Sequence, residues 1–261
     1  MNRRQVVFNC EGALLCGTID EAAGETGLLI VSGGNEIRSG AWGGQASLAA
    51  AVAGSGHPVF RYDRRGVGDS EGRNSGFRGA AADLACAVAA FRTEAPHLRR
   101  VVAFGNCDAA SVLALHGTQL PIDELILANP WTVDDDQAAE VMPASAIRSR
   151  YLKKLQNPDE WLRILRGQVN FANLVTGLRR AAGPSAPSQT GLAAEMHARL
   201  SAFSGPIKIL IAAGDRTAQI FAENWPKGDR RVRSLADRSH SFSGERARAW
   251  LLHELLEALQ R

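Results

Sequence analysis

Between a β-branched run at Val101-Val102 and an apolar helical segment from Ser111 to Leu115, the chain reads Phe104-Gly105-Asn106-Cys107-Asp108-Ala109-Ala110. Strand, sharp turn and helix in that order, with small residues at Gly105, Ala109 and Ala110, predict a strained turn. Such a turn exposes one side chain while strand and helix pack closely. That side chain is Cys107. A thiol at the start of a helix faces the positive end of the helix dipole, which favours its anionic, nucleophilic form; Asp108, one residue on, acts against it. A cysteine taken singly is more often a small buried hydrophobe, so the reading rests on two residues more than 100 positions further along the chain.

A thiol nucleophile needs a base to take its proton and a carboxylate to orient the base. The strand-like run Ile207-Lys208-Ile209-Leu210-Ile211-Ala212 leads into Ala213-Gly214-Asp215, which places a carboxylate just past a buried strand. A second short strand, Arg231 to Leu235, runs into Asp237-Arg238-Ser239-His240, just before a C-terminal helix. His57, His97 and His116 sit beside element boundaries, and His197 and His253 fall in helical segments, so His240 is the expected base. Asp215 is the expected acid. Asp134, Asp135 and Asp136 are the alternative, and Asp237, in the same loop as His240, reads as a turn residue. For a developing oxyanion, the amide of Asp108 is one expected donor; the loop Gly33-Gly34-Asn35 supplies the second, from Gly34 or Asn35.

Continuous apolar strands alternate with helices. Strands are expected at Gln5 to Cys10, Ala13 to Thr18, Gly27 to Ser32, His57 to Tyr62 and Glu124 to Ala128, with helices near Gly44 to Ala53, Phe77 to Arg92 and Ser243 to Leu259. The first two strands read as a hairpin. This alternation predicts an α/β fold: a mostly parallel, eight-stranded sheet with helices on both faces. From residue 130 to 200 the pattern turns helical, around Ala146 to Leu155, Pro158 to Leu165 and Phe171 to Leu178, followed by the loop Gly183-Pro184-Ser185-Ala186-Pro187-Ser188. We read 130–200 as a helical cap inserted after the sixth strand, with 1–129 and 201–261 forming one core.

With 261 residues and a net charge of +3, the chain is long enough for one large core, and it carries no basic block interleaved with aromatics that would suggest nucleic acid. Cys10, Cys16, Cys86 and Cys107 have no metal-ligand spacing, so no metal or cofactor is expected. The run Val6-Val7-Phe8 is too short for a signal-peptide core, and nothing approaches the roughly 20 apolar residues of a membrane span. The expected location is the cytoplasm, where a catalytic thiol stays reduced. Oligomeric state is not read from the sequence.

The stretch Asp63-Arg64-Arg65-Gly66-Val67-Gly68-Asp69-Ser70 lacks the Gly-Lys-Ser/Thr of a phosphate loop. A structural role is expected instead, with Asp63 and Arg64 holding the active-site floor. Arg38, Trp42 and Trp131 are candidate substrate contacts. With these residues in place, the chain resembles the α/β-hydrolase superfamily over nearly its whole length. In Val31-Ser32-Gly33-Gly34-Asn35-Glu36-Ile37-Arg38-Ser39-Gly40, in Phe104 to Ser111 and in Gly214-Asp215-Arg216-Thr217-Ala218-Gln219, it is similar to the type-1 hydrolases of the bacterial exosortase A system. Asn35 stands where proline is common in that group, and Ser239 where aspartate is. The resemblance implies a Cys107–His240–Asp215 triad and a link to exopolysaccharide production and protein sorting. The expected activity is acyl hydrolysis of a small-molecule ester or thioester through an S-acyl intermediate. Acyl transfer to a sugar or amine acceptor is one alternative, and a non-catalytic binding protein on the same fold is another.

Overall fold

A computed structural model describes residues 2–134 and 191–261. Its strands are β1 (Asn2–Cys10), β2 (Ala13–Glu21), β3 (Thr26–Val31), β4 (Val59–Tyr62), β5 (Arg100–Asn106), β6 (Glu124–Ala128), β7 (Ile207–Ala212) and β8 (Val232–Leu235). The helices among the described residues are α1 (Gly44–Gly54), α2 (Ala81–Glu94), α3 (Asp108–His116), α4 (Leu192–Ala202), α5 (Arg216–Asn224) and α6 (Glu245–Leu259). The sheet has the order β1-β2-β4-β3-β5-β6-β7-β8. The β1–β2 hairpin and the β2–β4 pair are antiparallel, and every other pair from β4 to β8 is parallel.

The central strands are apolar throughout because both faces are covered, and alternate residues serve opposite layers. Leu29, Val31, Val101, Ala103, Leu125, Leu127, Ile209 and Ile211 pack with residues of α2, α3, α4 and α5. Leu28, Ile30, Val102, Phe104, Ile126, Ala128, Leu210 and Ala212 pack with α1 and α6. The crossovers bring the C-terminal ends of β3, β5, β7 and β8 to one edge of the sheet, where ligand sites of open α/β sheets form.

β6 and β7 occupy the residues expected of them. β1 and β2 are longer than expected, because their hairpin pairing continues from Cys10↔Ala13 to Asn2↔Glu21. Of the expected cap, residues 135–190 lie outside the described residues, and with them the three expected cap helices and the Gly/Pro/Ser loop. Its last part, from Leu192, forms α4, whose Leu192, Met196 and Leu200 are buried in the same core as α3. Helix α5 carries little signal in the sequence: its buried positions, Ala218, Ile220 and Phe221, are few and its remaining residues mostly polar.

Cys10 on β1 and Cys86 on α2, 76 positions apart in sequence, form a disulfide with a Cα–Cα separation of 5.7 Å. That separation falls in the ordinary range for such a bond, and linear spacing does not reveal it. Cys16 and Cys107 are the free cysteines. Among the described residues no helix is long and apolar enough to cross a membrane, and no cluster of side chains could hold a metal ion.

Candidate active site

β5 ends at Asn106 and α3 starts at Asp108, leaving Cys107 alone to reverse the chain, with φ 61° and ψ −124°. Few non-glycine residues adopt such a φ. Close approach makes it necessary: a Cβ on Gly105 would lie 2.7 Å from the backbone of Ala109. The turn is fixed from both sides, since Cys107 N–H donates to Ala128 O (2.9 Å) and Trp131 N–H donates to Cys107 O (3.2 Å). The five non-glycine residues with positive φ among the described ones are Glu11, Trp42, Cys107, Asn129 and Phe242, and Asn129 meets this turn through Asn106. Backbone strain gathers at functional sites.

His240, in the loop between β8 and α6, brings Nδ1 within 3.0 Å of Asp215 Oδ2. Asp215 is the N-cap of α5, and the same oxygen accepts the Ala218 N–H at 3.1 Å. Burial pushes the Asp215 carboxyl up, but the hydrogen bond and charge of His240, with the amides of Ala218 and Thr217, outweigh it and hold the group below its usual range. On His240, the hydrogen bond to Asp215 acts first and one to Cys107 second; together they overcome desolvation and push the imidazole up to about 10. The imidazole is anchored on Asp215, and this environment, with Cys107 contributing, favours its protonated form.

The structure corrects the expected oxyanion loop. Gly34 N–H is already committed to Asp108 Oδ1, at 2.6 Å. The other Asp108 oxygen accepts from Arg64 Nη2 (3.0 Å), which also donates to Gly34 O (2.7 Å). Asp108 and buried Arg64 thus lock the glycine loop to the turn at Cys107, and Gly33 has to be glycine because a Cβ there would lie 2.5 Å from Asp108 Oδ1. The same ion pair offsets the negative charge that Asp108 brings to the first turn of α3. The remaining expected donors are the amides of Asp108 and of exposed Asn35, whose side chain accepts from Asn74 Nδ2 at 3.0 Å.

Two residues that sequence reasoning missed hold the backbone of His240. Asn106 Nδ2 and Asn129 Nδ2 donate to His240 O, at 3.2 and 3.0 Å, and Asn129 Nδ2 also reaches Asn106 Oδ1 at 3.3 Å. Asn129, fully buried with φ 39°, ties this cluster to β7 by accepting the Ala212 N–H at 2.9 Å. The one signal in the sequence is an asparagine directly after the apolar strand β6, where a polar side chain needs a partner. Asn106→Ala frees the histidine loop on one side, and displacements of about 1 Å cost on the order of 100-fold in rate. We expect kcat to fall about 10- to 100-fold with KM little changed and the pH–rate profile displaced, as measured by steady-state kinetics across pH.

Other expected residues are placed elsewhere. Asp134 is taken by Arg78 and by the Leu192 N–H (3.1 Å) at the start of α4, so it does not reach His240; Asp135 and Asp136 lie outside the described residues. Arg38, expected to contact substrate, is a fastener instead. Its guanidinium is bound by Asp63, by Asp69 at 2.9 Å and by Thr18 Oγ1 at 3.1 Å. Asp63 also accepts the Arg38 and Asp69 amides, so the loop after β4 holds the site floor as its sequence suggested. Trp131 is partly buried against the core, and its carbonyl accepts from Ser111 Oγ at 2.6 Å. Trp42 is half exposed, and its Nε1 donates to Ser241 Oγ at 3.2 Å.

Comparison with known proteins agrees with this architecture. An esterase from Pyrococcus furiosus, Pf2001, superposes with a TM-score of 0.64 at 16% identity, over 100% of this chain and 90% of its own. The thioesterase domain of the curacin biosynthetic pathway gives 0.59 at 14%, over 98% and 100%. A hydrolase from Pseudomonas aeruginosa PA01 gives 0.56 at 22%, over 98% and 97%. At these identities the likeness shows the fold. No protein of curated function matches. The model of the alpha/beta hydrolase family matches residues 28–253, and the chain belongs to that family.

Proposed function

We propose that the protein is an acyl hydrolase with a cysteine nucleophile, acting on thioesters in preference to oxygen esters. The observation that carries this reading is the His240–Asp215 pair, 3.0 Å apart, together with Cys107 alone at the strained turn before α3. Before attack His240 already holds the proton of the pair, as its raised value favours; the thiolate Sγ bonds to the acyl carbon, and the leaving group departs with that proton from the imidazolium. Water then gives its proton to His240 and attacks the S-acyl carbon; the carbon–sulfur bond breaks and the thiol is restored. Asp215 holds the imidazole orientation and stabilises its charge. The amides of Asp108 and Asn35 receive the oxyanion.

Thioester preference follows from bond exchange. Attack by sulfur on a thioester trades one carbon–sulfur bond for another, whereas attack on an oxygen ester gives up the more stable acyl linkage. The residues shared with the exosortase A type-1 hydrolases support a role in bacterial exopolysaccharide systems. Intact-protein mass spectrometry after brief exposure to acyl thioesters tests the reading. We expect a transient adduct on the wild type, none on Cys107→Ala, and faster turnover of each thioester than of the matched oxygen ester. Turnover that survives Cys107→Ala would overturn it.

A further inference from the structure

A groove of about 200 Å³ opens between α1 and α6, on the opposite face of the sheet from α3. Its inner end is bounded by Glu36, Asn106 and Ser241. These come from the three segments that build the catalytic centre: the loop after β3, the residue before Cys107 and the residue after His240. Phe104, Leu48, Phe242 and Leu251 supply apolar walls, and Ala51 and Ala249 on the two helices leave the space open. Polar groups at the inner end already have partners, since Glu36 accepts from Ala41 N–H (2.6 Å) and Gln45 Nε2 (2.7 Å). The groove therefore suits an apolar chain better than a sugar or a peptide.

Trp42 stands at the mouth in a conformation that needs explaining. It has φ 49° and ψ 22°, unusual for a bulky residue, and is 50% exposed. Its ring is held by Ser241 and by the Arg248 guanidinium, 5.4 Å from the centroid, and a Cβ on Gly44 would lie 2.8 Å from it. An exposed aromatic held against strain beside an apolar groove is well placed as its cover.

We propose that this groove is the subsite for the acyl chain, and that it takes a saturated, medium-length chain beneath Trp42. Its volume, about 200 Å³, leaves room for a chain of several methylenes, and Asn106, the residue before Cys107, stands at its inner end. The assignment rests on the acyl-hydrolase reading of Cys107, and the test has one arm that does not.

Wild type, Ala51→Phe and Ala249→Phe are compared on acetyl, butyryl, hexanoyl and octanoyl thioesters of one thiol. Both alanines lie on exposed helix surface, outside the catalytic machinery. Each methylene buried in the groove raises wild-type kcat/KM about threefold. The filled variants lose this gain, at least about 10-fold on the octanoyl thioester, and keep acetyl turnover. Equal chain-length profiles in all three proteins overturn the subsite. The second arm measures octanoate binding to the same proteins by tryptophan fluorescence and calorimetry. If no acyl compound is turned over, the hydrolase reading fails, and saturable octanoate binding that the filled variants lose still supports the subsite. Absence of octanoate binding to the wild type overturns it.

Discussion

Cys107→Ala lowers kcat/KM toward acyl thioesters by about 10⁴-fold or more, while the fold and its melting temperature stay close to the wild type. The size of the loss comes from the covalent route, since without Sγ neither His240 nor the oxyanion donors have an intermediate to act on. Alkylation makes the same point in the native protein. Brief treatment with iodoacetamide near neutral pH modifies Cys107 and stops turnover in proportion. Cys16 is the other free thiol; burial pushes it up from its usual range, and its sulfur lies 3.3 Å from Asp69 O. It reacts more slowly, and the sites of labelling are read by peptide mass spectrometry. Full activity in protein alkylated at Cys107 would remove the nucleophile from the mechanism.

Asp215→Asn has the next largest effect, a fall in kcat of about 10³- to 10⁴-fold. The amide keeps the volume but offers the imidazole neither charge nor the correct acceptor. In the wild type His240 is raised from 6.5 to about 10, with Asp215 the leading cause. In the variant we expect it to drop back toward 6.5, as read from imidazole proton shifts by NMR. The same pair carries a pH-dependent stability. A raised histidine contributes fully below its unfolded value of 6.5 and loses that contribution as pH rises through about 10. A lowered carboxylate contributes above its unfolded value of 3.8 and loses it as pH falls through its depressed folded value. Wild type should therefore exceed Asp215→Asn in melting temperature most clearly between these two unfolded values, with the gap closing toward pH 10. A gap that widens as pH rises from 7 to 10 contradicts the assignment.

Much of the site was legible because its parts are local. The turn at Cys107 is written in five consecutive residues whose small side chains permit a close strand–helix approach. Asp215 and His240 could be found because each follows a short apolar strand, and parallel strands with right-handed crossovers deliver their C-terminal ends to one edge. The hydrogen-bond economy around them was not legible. Whether Gly34 N–H is free for a substrate or given to Asp108 depends on the distance between two loops 74 residues apart in sequence. Arg38 looked free because nothing nearby in the chain names Asp63 and Asp69 as its partners.

The order of Cys107, Asp215 and His240 along the chain, the layered α/β architecture and the need for small residues at the turn were determined by the sequence alone, since each follows from short-range sterics and hydrophobic periodicity. Only the tertiary structure decided which acid meets His240, that Asn106 and Asn129 hold its backbone, that Cys10 joins Cys86, and that an apolar groove opens beside Asn106. These depend on how separate strands and helices are oriented once packed, and a hydrogen bond or a cavity wall is lost by a displacement of about 1 Å that no linear pattern encodes.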